Sequence, residues 1–250
     1  MARKKTLYQE SFEIIEVSGQ QVPLKLIKET RKNVRTSVGK DAVYLRIPFW
    51  TSKKQQQKLR AWCIQWLQNK HQKTGLLHSL QKRTIQDGGM IRLPQETLGV
   101  KVSYADRKSG KGTIRSNHII LDLPEGMNIE DEQNLCRKMI NNLLSKRYLP
   151  FLEKRVREIN ARFFKQQVSS VKLRYNYSKW GSCSSSQQIS LSTRLIFAPQ
   201  EVVDYVIVHE LAHLIEMNHS NRFWNIVEQI IPNFRDQEKW LRENAWSCDY

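Results

Sequence analysis

The sequence has few cysteines and no long apolar run. Its 250 residues contain four cysteines, which are Cys63, Cys136, Cys183 and Cys248. No two form a CxxC pair, which excludes a disulfide-rich secreted scaffold and leaves no cysteine-based zinc site visible. No stretch approaches the roughly 18 consecutive apolar residues that a transmembrane helix needs. Glu10 and Glu13 interrupt the region where a signal peptide is apolar. We therefore expect a cytoplasmic protein without a membrane partner.

Acidic side chains are scarce in the first half. Residues 1–125 hold 24 Lys and Arg against 10 Asp and Glu, whereas residues 126–250 hold 17 against 14. The whole chain has a net charge of +17. Such an excess indicates either a polyanionic partner such as nucleic acid or a basic surface with no dedicated partner. No known nucleic-acid motif accompanies the basic residues, so both interpretations stay open.

Hydrophobic periodicity divides the chain into strand-like and helix-like segments. The predicted strands are residues 12–17, 22–29, 42–48, 91–94, 100–106, 118–124, 171–178 and 189–197. The predicted helices are residues 52–73, 129–166, 200–217, 220–231 and 235–246. Pro150 is expected to break or kink the second helix. We predict an α+β fold, with a strand-rich basic N-terminal part at residues 1–125 and a second domain at residues 126–250.

One motif carries recognisable chemistry, the HExxH sequence at residues 209–213. Residues four apart on a helix lie one turn apart on the same face, so His209 and His213 can both bind one zinc ion. The intervening Glu210 lies beside them, where it can take a proton from a zinc-bound water molecule. Burial of these polar groups among valines is costly unless they are satisfied, and zinc would satisfy them.

Two residues compete for the third zinc ligand. Glu216 shares the helix face of His209 but lies seven residues away, about 10.5 Å along a straight helix. His219 follows Asn218, a natural left-handed helix C-cap after which the chain can reverse. A ligand on the returning chain approaches the ion from another direction and leaves the fourth position open for water. We therefore predict that His219 is the third ligand.

Residues 179–224 read KWGSCSSSQQISLSTRLIFAPQEVVDYVIVHELAHLIEMNHSNRFW and resemble the signature of YgjP-like metallopeptidases. That family is related in pattern to the SprT/Spartan and WLM proteases, and the resemblance extends over residues 130–247. It implies a zincin-like C-terminal metallopeptidase domain that binds Zn²⁺ through the two HExxH histidines and a downstream histidine. Lys179 stands where the family pattern leads us to expect Arg.

Two segments before the motif have alternative interpretations. Residues 187–197 are either an edge strand that pairs with extended substrate by β-augmentation or an interior strand of the protein's own sheet. The segment Trp180–Cys183 is interpreted as a tight turn whose Trp180 packs in the core. In the alternative interpretation, Ser182 or Cys183 faces the cleft and Cys183 masks the zinc.

The expected function is hydrolysis of peptide bonds in a protein or peptide substrate, with Glu210 as general base. Tyr205 and Arg222 are weak candidates for stabilising the oxyanion. One alternative is a nucleic-acid-associated, Spartan-like protease that is tethered through its basic N-terminal half. Another is a zinc-stabilised binding module in which Glu210 does no catalysis.

Overall fold

A computed structural model describes residues 8–39, 42–74, 77 and 84–249. The chain divides into two compact units, Met1–Lys82 and Arg83–Tyr250. The boundary predicted between residues 125 and 126 reflects charge, and it does not coincide with this division. The division into a basic N-terminal part at residues 1–125 and a metallopeptidase domain at residues 126–250 stays a prediction.

The first unit is a four-stranded sheet packed on one long helix. Strand order is β1-β2-β4-β3, with β2 and β4 parallel and the other pairs antiparallel. The strands are β1 (Tyr8–Val17), β2 (Gln20–Glu29), β3 (Arg35–Val38) and β4 (Val43–Pro48). Helix α1 (Lys53–Thr74) places Cys63 and Leu67 against alternate residues of the strands, including Ile15 and Leu24. This alternation is the period-2 pattern that predicted three of the strands.

The second unit begins with another four-stranded sheet, of order β5-β6-β8-β7. Its strands are β5 (Met90–Arg92), β6 (Thr97–Ala105), β7 (Lys111–Arg115) and β8 (His118–Pro124). Leu98, Ile119 and Leu121 are buried in the same core as the long helix α2 (Ile129–Ile159). Gly110 and Gly112 let the β7 hairpin approach α2 closely, because a Cβ at Gly110 would lie 2.6 Å from the sulfur of Met139.

Helix α2 runs for 31 residues and continues through Pro150, so of the predicted break or kink the break does not occur. Leu144 and Tyr148 before the proline and Leu152 and Val156 after it are buried in one core, and this shared packing outweighs the missing hydrogen bond. A short π-helical turn follows at Asn160–Phe164.

A three-stranded sheet and three helices complete the second unit. Sheet order is β10-β11-β9, formed by β9 (Ser170–Arg174), β10 (Gly181–Cys183) and β11 (Gln188–Ser192). The helices are α3 (Gln200–Ala212), α4 (Asn221–Ile230) and α5 (Phe234–Asn244). Residues 193–197, predicted as the end of a strand, form a 3₁₀ helix instead, because the Ser192 hydroxyl accepts a hydrogen bond from the Arg194 N–H at 3.4 Å and turns the chain.

These sheets and helices confirm the predicted α+β class. A search of the described residues for a helix long and apolar enough to cross a membrane found none.

A charged cluster joins α2 to the turn before β6. Arg147 donates hydrogen bonds of 2.9 and 2.7 Å to the Glu96 carboxylate, and the Tyr148 hydroxyl donates a third. Partial burial raises the pKa of Glu96, but the bonds from Arg147 and Tyr148 outweigh it and the net shift is downward. The ionised form of Glu96 therefore stabilises the fold.

We expect Glu96→Gln to lower the free energy of unfolding by about 1 kcal/mol at pH 7, as measured by urea denaturation. Because the folded pKa lies below the unfolded one, the contribution is present above the unfolded pKa and is lost as pH falls through the folded pKa. The difference between wild type and variant should therefore shrink below about pH 4. The exposed Glu125→Gln is the control, and an equal effect of both variants would contradict the assignment.

Candidate metal centre

Helix α3 carries the HExxH motif and is buried along most of its length. Pro199 starts it, because its carbonyl accepts the N–H groups of Val202 and Val203 at 3.1 Å each. The helix ends at Ala212, five residues before the predicted end. The N–H of Leu214 bonds to the carbonyl three residues back at 3.0 Å, which tightens the last turn.

The helix cap also differs from the prediction. His213 is the C-cap, with right-handed helical φ of −65°. Asn218 is not among the residues with positive φ, so it is not a left-handed cap. The chain instead reverses through the turn that begins at His213. This shorter helix places His213 at the start of the loop that carries His219.

The structure brings His209, His213 and His219 together. One ring nitrogen from each lies within 4.8 Å of the others, and Nε2 of His209 is 3.1 Å from Nε2 of His219. The ring centroids are 5.1, 5.0 and 4.7 Å apart. The first two imidazoles are half-buried and the third is exposed. All three predicted ligands therefore converge on one point.

The donor set fits a divalent transition metal ion. Nδ1 of His213 contacts the backbone carbonyl of Glu216 at 3.2 Å, which fixes the N–H on that nitrogen and leaves Nε2 as the free donor atom. Burial, followed by His213 and His219, lowers the pKa of His209 to about 4, so its imidazole is neutral. Neutral imidazoles with converging lone pairs are the ligands that zinc and similar ions prefer.

Glu216, the competing ligand candidate, does not join the cluster through its side chain. Its backbone carbonyl instead orients His213. The two oxyanion candidates differ in burial. Tyr205 is buried and its hydroxyl bonds to Glu238, while Arg222 is exposed.

Aromatic side chains pack against the three imidazoles. The buried Phe223 ring lies 4.9, 4.6 and 4.8 Å from the rings of His209, His213 and His219. Trp224 stacks on His219 at 5.8 Å and on Phe234 at 5.2 Å. Phe223 and Trp224 belong to α4, which Ser220 caps by accepting the Phe223 N–H at 3.4 Å.

The side chain of Glu210 lies against strand β10. Only 5% of Glu210 is exposed, and a Cβ added at Gly181 would lie 2.6 Å from Oε1 of its carboxylate. The backbone N–H of Cys183 donates a hydrogen bond to this carboxylate. Burial raises the pKa of Glu210 to about 7, against the opposing effects of Lys179 and the Cys183 N–H. Gly181 is a site residue that the sequence interpretation missed, since it assigned the glycine only to a turn.

The sheet order decides between the two interpretations of residues 187–197 in favour of an interior strand. β11 is the central strand, paired with β9 on one side and β10 on the other. The edge strand beside α3 is β10. Cys183 lies on this strand but does not join the imidazole cluster, and burial raises its pKa to about 11, which keeps it a thiol.

A buried arginine holds the chain that leads into β10. Arg194 donates to the carbonyls of Tyr177 at 2.9 Å, Cys248 at 3.2 Å and Ala245. Its guanidinium also lies 4.3 Å from the centre of the Trp180 ring. Trp180 thus packs as predicted, and the residue just before Gly181 is fixed from several directions.

A family model described as "YgjP-like, metallopeptidase domain" matches residues 32–244. The chain belongs to the YgjP-like metallopeptidase family. Membership of this YgjP-like family makes the protein a peptidase that depends on a metal ion, in agreement with the resemblance seen in its sequence.

Two crystal structures of metallopeptidase zymogens show local similarity to this YgjP-like protein. Abylysin from Pyrococcus abyssi is 26% identical, over 37% of this chain and 91% of abylysin, with a TM-score of 0.33. Jannalysin from Methanocaldococcus jannaschii is 23% identical, over 36% of this chain and 90% of jannalysin, with a TM-score of 0.32. A search of the curated proteins found no match.

Replacement of the third histidine should remove the metal. His219→Ala deletes one of three converging ligands, so we expect most of the bound metal to be lost after dialysis, as measured by elemental analysis. Glu216→Ala keeps the backbone carbonyl that orients His213 and should retain the metal. The reverse pattern would show that Glu216, not His219, completes the site.

Gly181→Ala tests the contact between β10 and Glu210. The new methyl group would displace the carboxylate by about 1 Å, and we expect peptidase activity to fall about 100-fold. The metal content should not change, because no ligand is touched. The neighbouring exposed Ser182→Ala is the matched control. Full activity of Gly181→Ala with an unchanged melting temperature would show that the contact has no catalytic importance.

Proposed function

We propose that this YgjP-like metallopeptidase is a zinc enzyme in which Glu210 acts as the general base. One observation carries the proposal. Ring nitrogens of His209, His213 and His219 lie within 4.8 Å of one another, and Glu210 follows His209 directly in the chain. A buried carboxylate in the same helix turn as two of the ligands is suited to proton transfer at the metal.

Zinc is the proposed ion because the donors are ring nitrogens of three histidines, His209, His213 and His219. Three protein ligands are typical of catalytic zinc, whereas structural zinc has four. When bound, zinc supplies a Lewis acid that polarises the scissile carbonyl and lowers the pKa of a water molecule.

Glu210 is held in place to accept a proton from that water and pass it to the leaving amine. Gly181 packs against its carboxylate, and the Cys183 N–H fixes its orientation. The surrounding helix is apolar, so bulk water is excluded from the carboxylate. The positive charge of Lys179 favours the ionised form of Glu210, which is the form a base requires.

Strand β10 offers a docking edge for an extended peptide. The carbonyl of Trp180 and the N–H of Ser184 bond to β11. In an antiparallel ladder Gly181 and Cys183 direct their backbone groups away from β11. The N–H of Cys183 bonds to Glu210, so the groups left for a substrate strand are those of Gly181 and the carbonyl of Cys183. A substrate strand paired at this edge would lie next to Glu210. The substrate is therefore proposed to be a protein or peptide in extended conformation.

We also propose a cytoplasmic location. The support is that all four cysteines are free, with three buried and Cys183 half-buried. Cytoplasmic proteins keep their thiols reduced.

Glu210→Gln should abolish the chemistry and keep the metal. Glutamine is nearly isosteric and Glu210 is not a ligand, so zinc content should be unchanged. Turnover of an unfolded protein substrate should fall at least about 100-fold, the lower range for loss of a general base. Glu216→Gln, which neutralises a nearby carboxylate, is the control and should retain activity.

Undiminished turnover by Glu210→Gln would refute Glu210 as the base. Absence of turnover in the zinc-loaded wild type, against a range of unfolded proteins, would instead favour the zinc-stabilised binding module.

A further inference from the structure

Helix α1 contains no acidic residue. Its 22 residues include six Lys and Arg, at positions 53, 54, 58, 60, 70 and 73. The unit to which it belongs, Met1–Lys82, has 17 Lys and Arg against five Asp and Glu. That excess of twelve positive charges accounts for most of the net +17 of the chain. The asymmetry of charge therefore lies mainly in the first unit, and α1 holds six of the 17 basic residues of that unit.

The outer face of α1 combines lysines, amides and one tryptophan. At about 100° per residue, the outward residues occupy an arc of about 100°, opposite Cys63 and Leu67 in the core. All members of this stripe are exposed, and they are Lys54, Lys58, Trp62, Gln65, Asn69, Gln72 and Lys73. We call this set the α1 stripe. It runs for about 28 Å along the helix.

The lysines of the α1 stripe have no carboxylate partner among the described residues. Arg60, to one side of the stripe, is different, since it pairs with Glu13 at 2.9 Å. Unpaired ammonium groups one turn apart, at Lys54 and Lys58, present a row of positive charge to solvent. A row of this kind is complementary to successive phosphates of a nucleic-acid backbone.

Trp62 lies within this positive row and is 48% exposed. The nearby Trp66 is half-buried and is covered by Lys70, whose Nζ lies 4.8 Å from its ring centre. An exposed indole between lysines and amides matches the platforms on which unpaired bases stack. A membrane-surface helix would instead expose a broad apolar face, whereas the apolar face of α1 is used in the core.

We propose that the α1 stripe binds single-stranded nucleic acid. Lys54, Lys58 and Lys73 contact phosphates, and Trp62 stacks on an unpaired base. This binding is independent of the proposed zinc chemistry. It assigns the polyanionic partner, which the sequence left open, to a defined surface of the protein. It also explains why the helix lacks acidic residues, because a carboxylate on this face would repel the backbone of the ligand.

The test measures binding of the full-length protein to a fluorescent 20-nucleotide DNA strand by anisotropy, over a range of salt concentrations. Lys54→Gln/Lys58→Gln should weaken binding about tenfold or more at 50 mM salt and reduce the slope of log K against log salt by about 1.4. Lys138→Gln/Lys146→Gln, two exposed lysines of α2, is the matched control and should leave both unchanged.

Trp62→Ala separates stacking from charge. We expect about fivefold or greater loss of affinity with an unchanged salt slope, and partial recovery in Trp62→Phe. Thermal unfolding of each variant identifies any loss of the fold. If Trp62→Ala does not fold, the affinity of Trp62→Phe decides whether the ring stacks on a base. The same sequence as a duplex should bind more weakly.

Three results would overturn the proposal: equal effects of the α1 and α2 lysine pairs, unchanged affinity of Trp62→Ala, or duplex binding as tight as that of the single strand. Binding to anionic vesicles without binding to DNA would identify a membrane partner instead and would also overturn it. Peptidase activity is not a readout, so the outcome is independent of Glu210 and the metal.

Discussion

The close approach of a strand to a buried carboxylate governs the arrangement of the second unit. Glu210 lies in an apolar helix, where an unsatisfied charged group would be strongly destabilising. Strand β10 satisfies it with a backbone N–H and can come near enough only because residue 181 has no side chain. The position of β10 therefore depends on Glu210, and the position of the Glu210 carboxylate depends on β10.

The imidazole cluster is built on a second, aromatic constraint. Phe223 contacts all three imidazole rings and holds them together. The same contacts keep His209 out of water and favour its neutral form. Packing against α4 thus holds the three imidazoles close together, where their nitrogens can bind a cation. His209 and His213 are half-buried, whereas His219 is exposed to solvent.

Much of this site could be predicted from the sequence, for identifiable physical reasons. The four-residue spacing of His209 and His213 determines their common face once a helix forms, and the apolar run around them ensures the helix. His219 could be predicted because a third donor had to come from a returning chain. The wrong helix end followed from the assumption that apolar periodicity through Ile215 continues the α-helix, whereas the last turn tightens at Leu211 and Ala212.

Other features depend on contacts that no local pattern contains. Strand β10 has three residues, too few for alternation to be visible, and the meaning of Gly181 emerges only when Glu210 lies beside it. The central place of β11 is set by its two partners, not by its own sequence. Likewise, Pro150 is tolerated because buried residues on both sides of it belong to one core.

The three carbonyls that surround Arg194 come from distant parts of the chain, at Tyr177, Ala245 and Cys248. A ribosome makes the HExxH helix well before it makes the last two of these acceptors. Until they emerge, the guanidinium cannot settle in its place and the chain before β10 is not held. A nascent polypeptide can therefore contain every imidazole and Glu210 and still lack the fixed edge beside them. The edge beside Glu210 is therefore held in full only after the chain as far as Cys248 has been made.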